Sequence, residues 1–133
     1  MDLKNKICDL GESWCTVTAV WNALLENAAP GTRGPISIGS TTTISLFGID
    51  LGTVWHLVDP ENLSITNITT PGHVFHYGTV TRSVLVENNS IYIRSVGDGV
   101  GKWAGFNEYL AGPATWLMKD TDIKRTAYGP IQW

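Results

Sequence analysis

Cys15, His76 and Asp98 are the residues whose types and order could do covalent chemistry. A cysteine nucleophile needs a base within reach, and a helix N-terminus helps to hold its thiolate. A third polar group then orients the base. Here the cysteine falls in a helix-like stretch near the start of the chain. The histidine sits at the mouth of a strand, and the aspartate lies beyond the next one. Such a set attacks an amide carbonyl, with Cys15 as nucleophile, His76 as base and Asp98 as orienter. Arg82, Arg94 and Trp103 are the candidates for holding substrate. A second set overlaps the first. His76 with Arg82 and Arg94, and with His56 and Tyr92 nearby, suits metal-independent cleavage of RNA, in which a histidine moves protons and arginines hold the scissile phosphate.

Other residues bear on these readings. Cys8 and Cys15 can pair if the segment between them is a loop. On one regular helix they would stand roughly 10 Å apart and could not. Unpaired, Cys15 also fits a buried small hydrophobe. His73 and His76 could ligate a metal with His56 or Asp59 only if 71–77 is a loop, because residues three apart on a strand face opposite sides. No metal or cofactor is assigned. Gly97-Asp98-Gly99-Val100-Gly101-Lys102 lacks phosphate-loop spacing, and Trp103 stands where Ser or Thr is required. The six tryptophans allow a noncatalytic ligand-binding module. Trp14, Trp21 and Trp116 lie on apolar helix faces, which leaves Trp103 and Trp133 as the exposed ones.

The elements that must position these residues follow from periodicity. Trp14, Val17, Trp21, Leu24 and Ala28 recur at helical spacing and predict a helix over 10–28. Its start is open between an Asp9/Glu12 capping box and a Ser13 N-cap, and the Ser13 start would put Cys15 in the first turn. Residues 36–47 read as one strand or two. Residues 53–58 and 63–69 form a hairpin about Asp59-Pro60-Glu61-Asn62. Val80, Arg82, Val84 and Val86 share a face on the next strand. After Asn88-Asn89-Ser90, Ile91 and Ile93 oppose Tyr92 and Arg94 on a further one. A short helix is expected over 103–111. Another begins at Pro113, carries Trp116, Leu117, Met118 and Ile123, and ends near Arg125. The fold class expected is α+β in a single domain, 1–133: an N-terminal helix, an antiparallel sheet of five or six strands built from hairpins, and short C-terminal helices.

With those elements in place the chain resembles the NlpC/P60 and CHAP amidase-peptidases, which are papain-like. Ser13-Trp14-Cys15-Thr16 with Val20-Trp21-Asn22 is similar to their cysteine segment. Gly72-His73-Val74, or His76-Tyr77-Gly78, followed by Val80 through Ile93, is similar to their histidine hairpin. The chain departs from the pattern at Gly52-Thr53-Val54 and at the third catalytic position. The resemblance implies a small cysteine hydrolase of amide bonds, acting on peptide or peptidoglycan-like substrate. It also implies a bacterial effector or toxin with an immunity or inhibitor protein as partner.

Composition bounds these readings. The 133 residues carry a formal net charge of −3 and are 43% hydrophobic and 16% charged, which is globular composition. The acidic balance disfavours a protein that binds nucleic acid mainly by charge, so a nucleic-acid partner belongs to the ribonuclease reading alone. No apolar run has the length of a membrane span, and the first residues lack the apolar region of a secretory signal. Those residues fit a cytoplasmic protein or one exported by a non-classical route.

Overall fold

The first element is a strand. The computed structural model describes residues 2–32, 34–46, 48–72, 77–99 and 113–129. In it, β1 spans Asp2–Asp9. Leu3, Asn5 and Ile7 face inward from β1, while Lys4 and Lys6 face solvent, which is the period of a half-buried strand. The inward asparagine interrupts the apolar signal and hides the strand in the sequence.

The helix expected over 10–28 starts later. Asp9 and Glu12 make one half of a capping box, Asp9 N–H donating to Glu12 Oε1 at 3.3 Å, while Glu12 N–H donates to the backbone carbonyl of Asp9 at 2.9 Å. They close a turn and open no helix, because Gly11 and the Cys8–Cys15 disulfide hold the segment as a loop. Helix α1 spans Val17–Glu26, with Thr16 as its N-cap. Thr16 Oγ1 accepts from Ala19 N–H at 3.1 Å. Cys15 therefore precedes the cap and lies in no helical turn.

Five more strands follow: β2 Thr41–Leu46, β3 Ile49–Asp59, β4 Ser64–Thr69, β5 Gly78–Glu87 and β6 Ser90–Gly99. With β1 they make one antiparallel sheet in the order β1-β6-β5-β4-β3-β2, curled into a half-barrel. The β5–β6 hairpin turns on Asn88 and Asn89, both at positive φ (49° and 67°), a conformation asparagine tolerates. Strand β6 continues through Gly97-Asp98-Gly99, where the sequence suggested a loop.

The last described element is α2, Pro113–Tyr128, a helix of 16 residues and not a short one. Trp116, Asp120, Ile123 and Ala127 form its inward stripe, whereas Leu117 and Met118 are exposed. Gly129 ends it at φ 93°, with its N–H bonded to Arg125 O at 3.2 Å. The expectation of an N-terminal helix, a sheet and short C-terminal helices is thus corrected to a strand-first sheet with, among the described residues, one helix on each side of strands β2–β6 in the chain. Both helices pack together: Asn27 Nδ2 donates to Thr126 Oγ1 at 3.0 Å, and Trp14 meets Tyr128 edge-on at 5.3 Å.

Candidate functional site

The inner face of the sheet is apolar at both ends and polar between. At one end Ile7, Leu24, Ile65, Ile91, Ile93 and Ile123 are sealed at 0–1% exposure, with the disulfide beside them. At the other end Ala29, Ile44, Val54 and Trp116 form a second cluster. Ile44, Val54 and Trp116 remain 5–7% exposed, and Leu3, Leu51 and Val80 around them are only half-buried. The indole N–H of Trp116 is buried and finds no acceptor among the described residues.

Two polar constructions separate these ends. The first centres on Arg82, which is fully buried. Its Nε donates to Ser95 Oγ at 3.2 Å and its Nη1 to Asn27 O at 2.9 Å, just past α1. Its Nη2 is paired with Asp120 of α2. The ring of Trp116 covers the guanidinium at 4.9 Å from its centroid. Arg82 thus joins β5, β6, the end of α1 and α2. Burial lowers its pKa to about 10, against the pull of Asp120. Burial also raises that of Asp120 to about 6, against Arg82 and Asn5. Both groups are charged at neutral pH.

The second construction is a one-way chain of hydrogen bonds. Asn67 Nδ2 donates to Ala28 O at 3.0 Å, which fixes its amide and turns Oδ1 toward His56. His56 Nδ1 then carries the proton and donates to Asn67 Oδ1 at 2.6 Å. Nε2 is left as an acceptor, and Thr42 Oγ1–H donates to it at 2.6 Å. Desolvation lowers the pKa of His56 despite the bond to Asn67 and keeps the ring neutral. The alternation of Val54, His56 and Val58 announced this face in the sequence. Its partners Thr42 and Asn67, and the carboxylate of Asp120, carried no local signal.

The residues expected to act together do not converge. Cys15 is bonded to Cys8, with a Cα–Cα distance of 5.8 Å, and is buried, so it offers no thiolate in this form. Asp98 is exposed and lies seven positions beyond Ile91, the register partner of Cys8. At the strand rise that is a run of roughly 23 Å. Arg82 and Arg94 sit on opposite faces. Arg82 is buried under Trp116, and Arg94 is exposed and bonded to Asp2 at 2.7 and 3.0 Å. They cannot clamp one phosphate. Both ring nitrogens of His56 are occupied, which removes it as a metal ligand in this arrangement. His73, His76, Trp103 and Trp133, and the helix expected over 103–111, lie outside the described residues. Among the described residues, no helix is long and apolar enough to cross a membrane.

The chain thus folds as a strand-first antiparallel sheet that curls toward a long C-terminal helix. Two crystal structures of major latex-like protein 151 from Panax ginseng share it with this chain. Their TM-scores are 0.56 and 0.52, at 15% and 14% identity, covering 95% of this chain and 93% and 92% of theirs. The likeness is one of fold. No family model matches the chain, and no curated protein matches it. The expectation of a cysteine-protease-like, NlpC/P60-like hydrolase of bacterial toxin or effector type is corrected by this topology: the matching folds are latex-like.

Proposed function

We propose that the protein is a noncatalytic binding module that holds a small, mainly apolar molecule at the open end of the concave face, against α2. The observation that carries this reading is the pairing of incomplete cover with an unmet donor. Ile44, Val54 and Trp116 keep some exposure, half-buried Leu3, Leu51 and Val80 rim them, and the Trp116 indole N–H has no acceptor among the described residues. Small-molecule sites combine apolar walls with a few placed polar groups. An acceptor oxygen on the ligand would satisfy the indole, and the ligand body would cover the rim. The fold shared with the ginseng protein is compatible with this use of the face. Fold alone does not assign it.

The test is titration with a neutral apolar fluorophore, N-phenyl-1-naphthylamine. Saturable binding at one site per chain is expected. Trp116→Phe keeps an aromatic ring and removes the N–H, and should largely preserve that binding while weakening an analogue that carries a carbonyl by roughly a further fivefold to tenfold, the worth of one hydrogen bond. Absence of saturable binding to the folded protein sinks the proposal.

A further inference from the structure

On the concave face, the inward residues of β5 and β6 shrink toward the open end. Val84 pairs with Ile93, Arg82 with Ser95, Val80 with Gly97 and Gly78 with Gly99. Ile93, Arg82 and Ser95 are fully buried, and Val84 is nearly so. Val80 and Gly97 are only half-buried. In the last two pairs three of the four residues are glycine.

Glycine weakens a strand interior. Where it occurs it marks a bulge, a bend, or a place where a ligand or another backbone comes close. A bulge does not account for these glycines, because the β5–β6 register runs through both pairs without a shift. Left-handed backbone does not either, since neither Gly78 nor Gly97 has a positive φ. A bend would use the flexibility of glycine, whereas a close approach uses the missing side chain. A second observation favours the close approach of a ligand. Trp116 belongs to the cluster against which Val80 packs, and its ring covers the guanidinium of Arg82. Arg82 stands one inward step from Val80, about 7 Å along the strand. The indole N–H of Trp116, 6% exposed and without an acceptor among the described residues, therefore borders the glycine pairs. Arg82 is already paired with Asp120, so the border offers no unpaired charge.

We propose that Gly97 selects the ligand of the concave face: with Gly78 it leaves the β5–β6 backbone bare, and a flat, neutral ring system lies on that strip with an acceptor oxygen on Trp116. This role rests on the binding function proposed above. A flat ring makes close contact with bare peptide planes, and a side chain at position 97 would take the volume the ring occupies.

The test is titration of the intact chain with N-phenyl-1-naphthylamine, which supplies flat rings without the oxygen. Ring-current shifts are expected at the amides of Gly97 and Gly78, larger than at Ile91 and Ile93 of the sealed end. Gly97→Ala should weaken binding by about threefold and Gly97→Val by about tenfold, as overfilling grows with side-chain size. Val96→Ala, on the outer face, should leave it unchanged. Thermal unfolding verifies that each variant folds, and where Gly97→Val does not, Gly97→Ala decides. Absence of saturable binding to the native protein overturns this role together with the binding function. Saturable binding with unshifted Gly97 and Gly78 amides overturns this role alone. So does unchanged affinity in the folded position-97 variant, which would assign the glycines to the bend of the sheet.

Discussion

The two ends of the concave face differ in how they are closed. At the sealed end, aliphatic side chains from β1, β4, β6, α1 and α2 stand at 0–1% exposure, and a disulfide pins the loop beside them. At the open end one tryptophan from α2 meets short aliphatic side chains of the sheet, and the rim is half-covered. The first arrangement stabilises the fold. The second keeps its central side chains at 5–7% exposure among half-buried neighbours, so the apolar surface left to a ligand lies at that rim. Arg82 and Asp120 sit at the seam and hold α2 over both. The largest effect is therefore expected there. Arg82→Ala should cost about 3–5 kcal/mol by leaving a buried carboxylate unpaired, while the double variant Arg82→Leu/Asp120→Leu should cost far less. Denaturant unfolding of the three proteins checks this. Equal losses in the single and double variants would show that the pair matters only as packing.

Truncation at each end sharpens the contrast. Leu24→Ala, in the sealed cluster, should destabilise by about 2–5 kcal/mol, since a close-packed site collapses poorly around a cavity. Ile44→Ala, in the partly open cluster, should cost less than half as much, because that site already touches solvent. Thermal unfolding of both variants measures the difference. Equal penalties would mean that the open end is sealed after all.

What the sequence made legible follows the same division. Where apolar residues alternate without interruption, as in Val80–Val86 and Ile91–Ile93, the hairpin can be read directly and the registers agree with it. Where a polar residue turns inward, the pattern fails. Asn5 concealed β1, and Asp120 interrupted the inward stripe of α2, so that of the four apolar residues expected on that helix Trp116 and Ile123 are buried while Leu117 and Met118 are exposed. Arg82 shared a period with its valines, yet its burial depends on Asp120, 38 positions away. The Thr42–His56–Asn67 chain joins three strands by side-chain bonds, and nothing local announces it. Cys15 stood within the range of the helix expected from Trp14 and Val17, but the disulfide with Cys8 holds it in a loop ahead of that helix. The sequence thus carried the apolar periodicity, and the inward polar groups depend on contacts distant along the chain.

The smallest expected effect concerns which force wins at the seam. Burial disfavours the charged form of Asp120, and Arg82 favours it. With its folded pKa raised from 3.8 to about 6, Asp120 contributes stability that is full below 3.8 and is lost as pH rises through about 6. His56 has the opposite sign. Its pKa is lowered from 6.5 by burial, so its contribution is present above 6.5 and is lost as pH falls through its folded value. The two partly cancel in the native protein, and a flat profile near neutrality would hide both. Asp120→Asn separates them. The stability of the native protein relative to that variant should rise as pH is lowered from neutral through about 6, read from unfolding midpoints across that window. A relative fall instead would mean that Arg82 stabilises the carboxylate more than burial penalises it. The seam would then be an attractive ion pair in its own right, and the closure of both ends by α2 would rest on charge more than on the apolar stripe.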